Sequence, residues 1–135
     1  MVAEHIIRIE DGPWSHTEPG SSWSSTYDGF TVVTNCQRIH LGVSTGQSCC
    51  ERTGYFMSED NLAEFIGAKL IGVTVTNTAL RTYEAVEYLD EGGVMFVNLN
   101  TDRGTLQFAA YNSHNGYYGH EARVDCQQIH HSCGV

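Results

Sequence analysis

The side chains best suited to chemistry crowd one short stretch. Tyr111 and His114 precede Asn115-Gly116, and Tyr117, Tyr118 and His120 follow it. Aromatic rings stack on a planar base, with about 1–3 kcal/mol gained per stacked base, while amides and imidazoles hydrogen-bond to its edge. Arg103 and Arg123 add guanidinium forks that can hold phosphate through paired hydrogen bonds. This set, Tyr111, His114, Asn115, Tyr117, Tyr118, His120, Arg103 and Arg123, is the expected ligand-binding site, and the chemistry is capture of a small nucleotide-like molecule. The competing reading is that tyrosine is a good strand residue covering a sheet edge and that arginine pairs with the many acids.

His114, His120, His130, His131, Glu121 and Cys126 are the groups acid–base or metal catalysis would recruit, yet no catalytic spacing joins them. HExxH, a P-loop and GxGxxG are all missing. A binder is therefore expected ahead of an enzyme, with a small phosphodiesterase built around His120 as a rival. Cys126, His130, His131 and Cys133 lie close together, and Cys36 and His40 are suitably spaced, but no CxxC pair exists. Small buried thiols are expected instead, with no metal and no cofactor. Cys49-Cys50-Glu51 has only Arg52 beside it to make a thiolate, so it too reads as structural.

Seven Lys+Arg stand against sixteen Asp+Glu, a formal charge of −9. Such a balance argues against duplex nucleic acid as a partner. Five cysteines and no basic-then-apolar leader suggest reduced thiols in the cytoplasm and no membrane contact. A chain of 135 residues is one domain's worth. Its expected parts are N-terminal strands with a Trp- and Ser-rich loop over 1–44, a core over 45–125 and a Cys/His tail over 126–135. An oligomer would bring arginines from two subunits around one ligand.

These residues need a frame, and the pattern is mostly β. Strands are expected over Glu4 to Ile9, Phe30 to Thr34, Arg38 to Val43, Lys69 to Thr76, Thr82 to Leu89, Val94 to Leu99, Thr105 to Tyr111 and Tyr117 to Val124. Glu10 to Ser25, carrying Trp14 and Trp23, reads as a long loop packed back on the domain. Asp28-Gly29, Glu91-Gly92-Gly93, Thr101-Asp102-Arg103-Gly104 and Asn115-Gly116 read as turns. Ser58 offers an N-cap, Leu62, Phe65 and Ile66 share a helical face, and Gly67 ends the run. The expected fold is α+β, a predominantly antiparallel β-sheet with one short helix. With Asn115-Gly116 as a two-residue hairpin, Tyr111 opposes His120 and Ser113 opposes Tyr118.

Ser48-Cys49-Cys50-Glu51, the Phe65-Ile66-Gly67 stop, and Thr101 through Phe108 leading to Asn115-Gly116-Tyr117-Tyr118 resemble a family of small phage and bacterial domains of unknown function. The resemblance covers roughly residues 45–125 and leaves the Trp-bearing loop as a feature of this chain. It departs at His114, where serine is common, and at Gly119-His120, where Ser-Glu is usual. Small phage proteins include inhibitors of host defence, Thoeris anti-defence sponges among them, which enclose nucleotide-derived immune signals without cutting them. The resemblance thus implies sequestration of such a signal. The alternative is a protein-binding inhibitor using the acidic run Glu84, Glu87, Asp90 and Glu91.

Overall fold

The computed structural model describes residues 3–17, 19–22, 24–44, 51–59, 61–76, 92–114 and 121–135. Two antiparallel sheets face one another. The first has the order β1-β2-β3-β8-β9: β1 (Ile6–Thr17), β2 (Ser24–Thr34), β3 (Arg38–Ser44), β8 (Glu121–Asp125) and β9 (His130–Gly134). The second has the order β4-β7-β6-β5: β4 (Glu51–Met57), β5 (Leu70–Thr76), β6 (Gly92–Thr101) and β7 (Gly104–His114).

Strand alternation sends one set of side chains from each sheet into a shared core. Phe30, Val32, Ile39, Leu41 and Val124 come from the first sheet, and Met57, Val73, Val97, Leu99, Leu106 and Phe108 from the second. Three rings join the layers: Phe30 meets Tyr55 and Phe108 edge-on, with centroids 5.4 and 6.1 Å away. Edge-on contact matches the positive ring edge to the negative ring face. The Tyr55 hydroxyl also donates to Asp11 Oδ1 at 2.7 Å, tying β4 to β1.

The fold is all-β, which corrects the α+β expectation. Where a helix was expected after Ser58, the described chain makes only a four-residue 3₁₀ turn, Leu62–Phe65. The cap residue went elsewhere: Ser58 donates its N–H to the Gln107 carbonyl, and its hydroxyl accepts from the Gln107 N–H. Ser58 therefore closes the end of β4 against β7, and Asn61 makes no side-chain cap in its place. The expected stop is real, since Gly67 has φ +87°, a conformation glycine adopts without a Cβ clash.

Of the stretch 10–25 expected as a loop, residues 10–17 and 24–25 are strand, 19–22 lie in the connection, and Glu18 and Trp23 lie outside the described residues. β1 runs on to Thr17 and pairs with β2 residue by residue, Trp14 opposite Tyr27 and Thr17 opposite Ser24. Pro13 is tolerated because β1 is an edge strand. Asp28-Gly29 lies inside β2 rather than at a turn. Thr101 through Gly104 does form the β6–β7 turn. Asn115-Gly116 and Glu91 lie outside the described residues, as do 77–90 with their expected strand. The two-residue hairpin register is excluded by the neighbours, however: β7 pairs with β4 and β6, and β8 with β3 and β9. Tyr111 already opposes Gly54 on one side and Val94 on the other, so His120 cannot be its partner. Among the described residues no helix is long and apolar enough to cross a membrane.

Candidate functional site

Directly opposed residues of an antiparallel sheet share a face. Following the register across the outer face of the first sheet gives three rows. One reads Glu10, Thr31, His40, Asp125, His130. The next reads Gly12, Gly29, Gly42, Arg123, Ser132. The third begins Trp14, Tyr27, Ser44, with Glu121 beyond it donating its N–H to the Ser44 hydroxyl.

The three glycines form a trench, and Trp14 lies across it. Its ring stacks on Tyr27 at 4.6 Å and on His40 at 5.0 Å, so it bridges the rows on either side. Its Nε1 donates to the Leu41 carbonyl at 3.0 Å, and the residue is only 8% exposed. A Cβ on Gly42 would stand 3.0 Å from that nitrogen, which explains why glycine occupies the strand here.

Beside this aromatic floor, Gln37, Arg38, His40, Asp125, Cys126, Gln127 and His130 line an open cleft of about 340 Å³. Its rim is braced by two turns that clasp each other. Gln37 Oε1 accepts from the Gln127 N–H, Gln37 Nε2 donates to Gln128 Oε1, and Gln127 Nε2 donates to the Cys36 carbonyl. The amides are thus committed to structure, and the chemistry rests with the charged and imidazole groups.

Asp125 is the hub. Its Oδ2 lies 3.2 Å from His16 Nδ1, and its Oδ1 is hydrogen-bonded to His130 Nδ1. Arg123 reaches towards both Glu121 (3.6 Å) and Asp125 (4.0 Å). His40 holds Thr31 Oγ1 through Nδ1 at 3.0 Å, leaving Nε2 without a protein partner among the described residues. Burial pushes the His40 pKa below the ordinary 6.5, against the opposing pull of the nearby Asp125 carboxylate, so the ring is neutral at neutral pH. Arg38 is exposed and makes no ion pair or hydrogen bond among the described residues. Burial also raises the Tyr27 phenol, first, and its bond to Glu121 second.

The site expected from sequence is distributed differently. Tyr111 packs beside Phe56 at 6.1 Å and lies over Gly54, where an added Cβ would fall 2.4 Å from its hydroxyl. Arg103 donates through Nη1 to the Glu64 and Ile66 carbonyls, both at 2.8 Å, and so secures the 3₁₀ turn. Arg123 is buried between its acids. His114 is described only as the last backbone position of β7. Asn115, Tyr117, Tyr118 and His120 lie outside the described residues, as do Glu84, Glu87, Asp90 and Glu91. Cys126, His130, His131 and Cys133 do not converge: Cys126 and Cys133 contact the core, whereas His130 sits on the outer face with Asp125. Burial raises the Cys133 thiol pKa, which keeps it protonated. Among the described residues no group of three or more His, Cys, Asp or Glu is arranged to hold a metal ion.

Sequence reasoning missed Trp14, Tyr27, Arg38, His40, Asp125 and His16 as neighbours. The usable signal was Asp125 and His130 on either side of the Cys126–Ile129 turn, closed by the Cys126 N–H to Ile129 carbonyl bond.

No curated protein and no solved structure matches the chain. A family match runs over residues 1–124, so it takes in the Trp14 hairpin, Arg38 and His40 rather than beginning near residue 45, and it ends one residue before Asp125. Over that span the chain belongs to DUF7448, a family described as a domain of unknown function.

Proposed function

We propose that the domain captures a small phosphate-bearing, nucleotide-like molecule in the Arg38–His40–Asp125–His130 cleft. The observation that carries this reading is Arg38, a guanidinium with no hydrogen-bond or ion-pair partner among the described residues, at the rim of a cleft whose floor is an imidazole backed by an indole. A guanidinium fork matches phosphate oxygens, and a volume near 340 Å³ suits a ligand of mononucleotide or dinucleotide size. In a phage setting, capture would inhibit host defence by removing a nucleotide-derived immune signal from its receptor. A homo-oligomer fits this role, and native mass spectrometry of the purified protein reports its subunit number and any retained small molecule together.

Titration calorimetry with a panel of mononucleotides and dinucleotides tests capture directly. Arg38→Ala is expected to weaken binding about ten- to a hundredfold, the range for one charge-assisted hydrogen-bonding group. Equal affinity of Arg38→Ala and the parent chain would remove the cleft from consideration.

A further inference from the structure

We propose that the His40–Asp125–His130 row is an acid–base pair that cleaves a phosphodiester beside a free ribose hydroxyl, a reading that rests on nucleotide capture in the same cleft. The two imidazoles flank one carboxylate in a single cross-strand row. Neighbouring strands are spaced by just under 5 Å, so the backbones carrying His40 and His130 stand roughly 10 Å apart, with Asp125 on the strand between them. Both residues line the open cleft, and Arg38 shares its rim.

Their roles differ because their surroundings differ. His40 is half-buried, stacked under Trp14, and bonded through Nδ1 to Thr31; in the tautomer that donates from Nδ1 to the Thr31 hydroxyl, Nε2 is the proton acceptor. His130 is largely exposed, at 66% of its side chain, and its Nδ1 is fixed by Asp125, which leaves Nε2 to deliver a proton when the ring is protonated. Base, acid and the carboxylate that orients the acid are then in place.

In the proposed step the ribose hydroxyl gives its proton to His40 Nε2, and its oxygen forms a bond to phosphorus. The bond from phosphorus to the departing nucleoside oxygen breaks, and that oxygen takes the Nε2 proton of protonated His130. The products are a cyclic phosphate and a free hydroxyl. Each imidazole has exchanged its protonation state, and exchange with water restores both. Arg38 balances charge on the non-bridging oxygens. Asp125 is a positioning residue, and the groups facing it and His40 are His16, Arg123, Thr31, Glu10 and Arg38.

The test incubates the full chain with a ribodinucleoside monophosphate and follows products chromatographically. Its deoxyribose counterpart, which lacks the attacking hydroxyl, serves as a binding probe. Expected are turnover of the ribose compound alone and a fall of roughly a hundredfold or more in His40→Gln and in His130→Gln. Affinity of each variant for the deoxyribose probe is measured alongside, so that turnover is compared at saturating substrate, and Asp125→Asn should displace the pH–rate profile. Binding of the deoxyribose probe without turnover of the ribose compound overturns the inference and leaves capture standing. Turnover that persists in the variants also overturns it. Binding of neither compound overturns capture as well. Should His40→Gln not fold, the exposed His130→Gln decides alone.

Discussion

Gly42→Ala puts a methyl group into the trench that Trp14 occupies. The added Cβ would stand 2.8 Å from the Asp28 carbonyl oxygen and 3.0 Å from both Trp14 Nε1 and Tyr27 Cβ. A ladder carbonyl cannot swing aside, so the indole has to move. Overpacking of this kind costs about 1–3 kcal/mol, and losing the Trp14 bond to the Leu41 carbonyl adds about 0.5–1.5 kcal/mol. For a chain of this length the combined loss lowers the thermal midpoint by on the order of 10 °C. Gly72→Ala is the matched control, because it is also in a strand but nothing lies within 4 Å of its added Cβ. It should stay within about 0.5 kcal/mol of the parent. Thermal unfolding followed by circular dichroism, with tryptophan fluorescence reporting the indole, compares the two. Equal midpoints for Gly42→Ala and Gly72→Ala would refute the trench as the reason for glycine at position 42.

Two further outcomes follow from the same geometry. Arg103→Ala should lower stability by about 1 kcal/mol through loss of its exposed bonds to the Glu64 and Ile66 carbonyls while leaving nucleotide affinity unchanged, since Arg103 secures the 3₁₀ turn; reduced affinity in a folded variant would contradict that assignment. Because burial depresses the His40 pKa, the stability His40 contributes is complete above its ordinary 6.5 and is lost as the pH falls through the folded value. Denaturant midpoints should therefore drop more steeply in mild acid for the parent than for His40→Gln, and parallel curves would count against the assignment.

Much of the frame was legible in the chain. Alternation between Val94 and Tyr111, broken by Thr101 through Gly104, identifies β6, β7 and their turn, because the period-two pattern is local. Residues 10–17 misled for a physical reason: β1 is an edge strand whose Gly12, Pro13 and Ser15 mimic a loop, and only pairing with β2 shows them extended. Asp28-Gly29 resembled a turn because the same absence of a Cβ serves both turns and close approaches, and here a Cβ on Gly29 would stand 1.8 Å from the Leu41 carbonyl oxygen of β3. The helix failed on competition, since Ser58 is worth more to the sheet end than to a single turn. The site was the least visible part. His40 and Asp125 meet only because β3 pairs with β8, a choice of neighbour made across more than half the chain and written in no local motif. Asn115-Gly116 was over-read as a two-residue hairpin because that dipeptide suits a turn without specifying which strands it joins.

The acidity of the chain and the proposed anion in its cleft are compatible once distance is considered. Charges farther than about 8–10 Å are largely screened at physiological salt, so most of the −9 acts on the surroundings and not on a ligand seated between β3 and β9. Locally the one acid lining the cleft, Asp125, is engaged by His16, His130 and Arg123, while Arg38 makes no ion pair or hydrogen bond with a described acid and acts on Glu10 only through space. The cleft therefore presents a cation to one or two phosphates. A polynucleotide would have to lay its remaining phosphates across an acidic surface with little counterion release in return. On the proposed reading, charge would act as a length filter, admitting a short nucleotide that ends within the cleft and turning away a long one that continues past it.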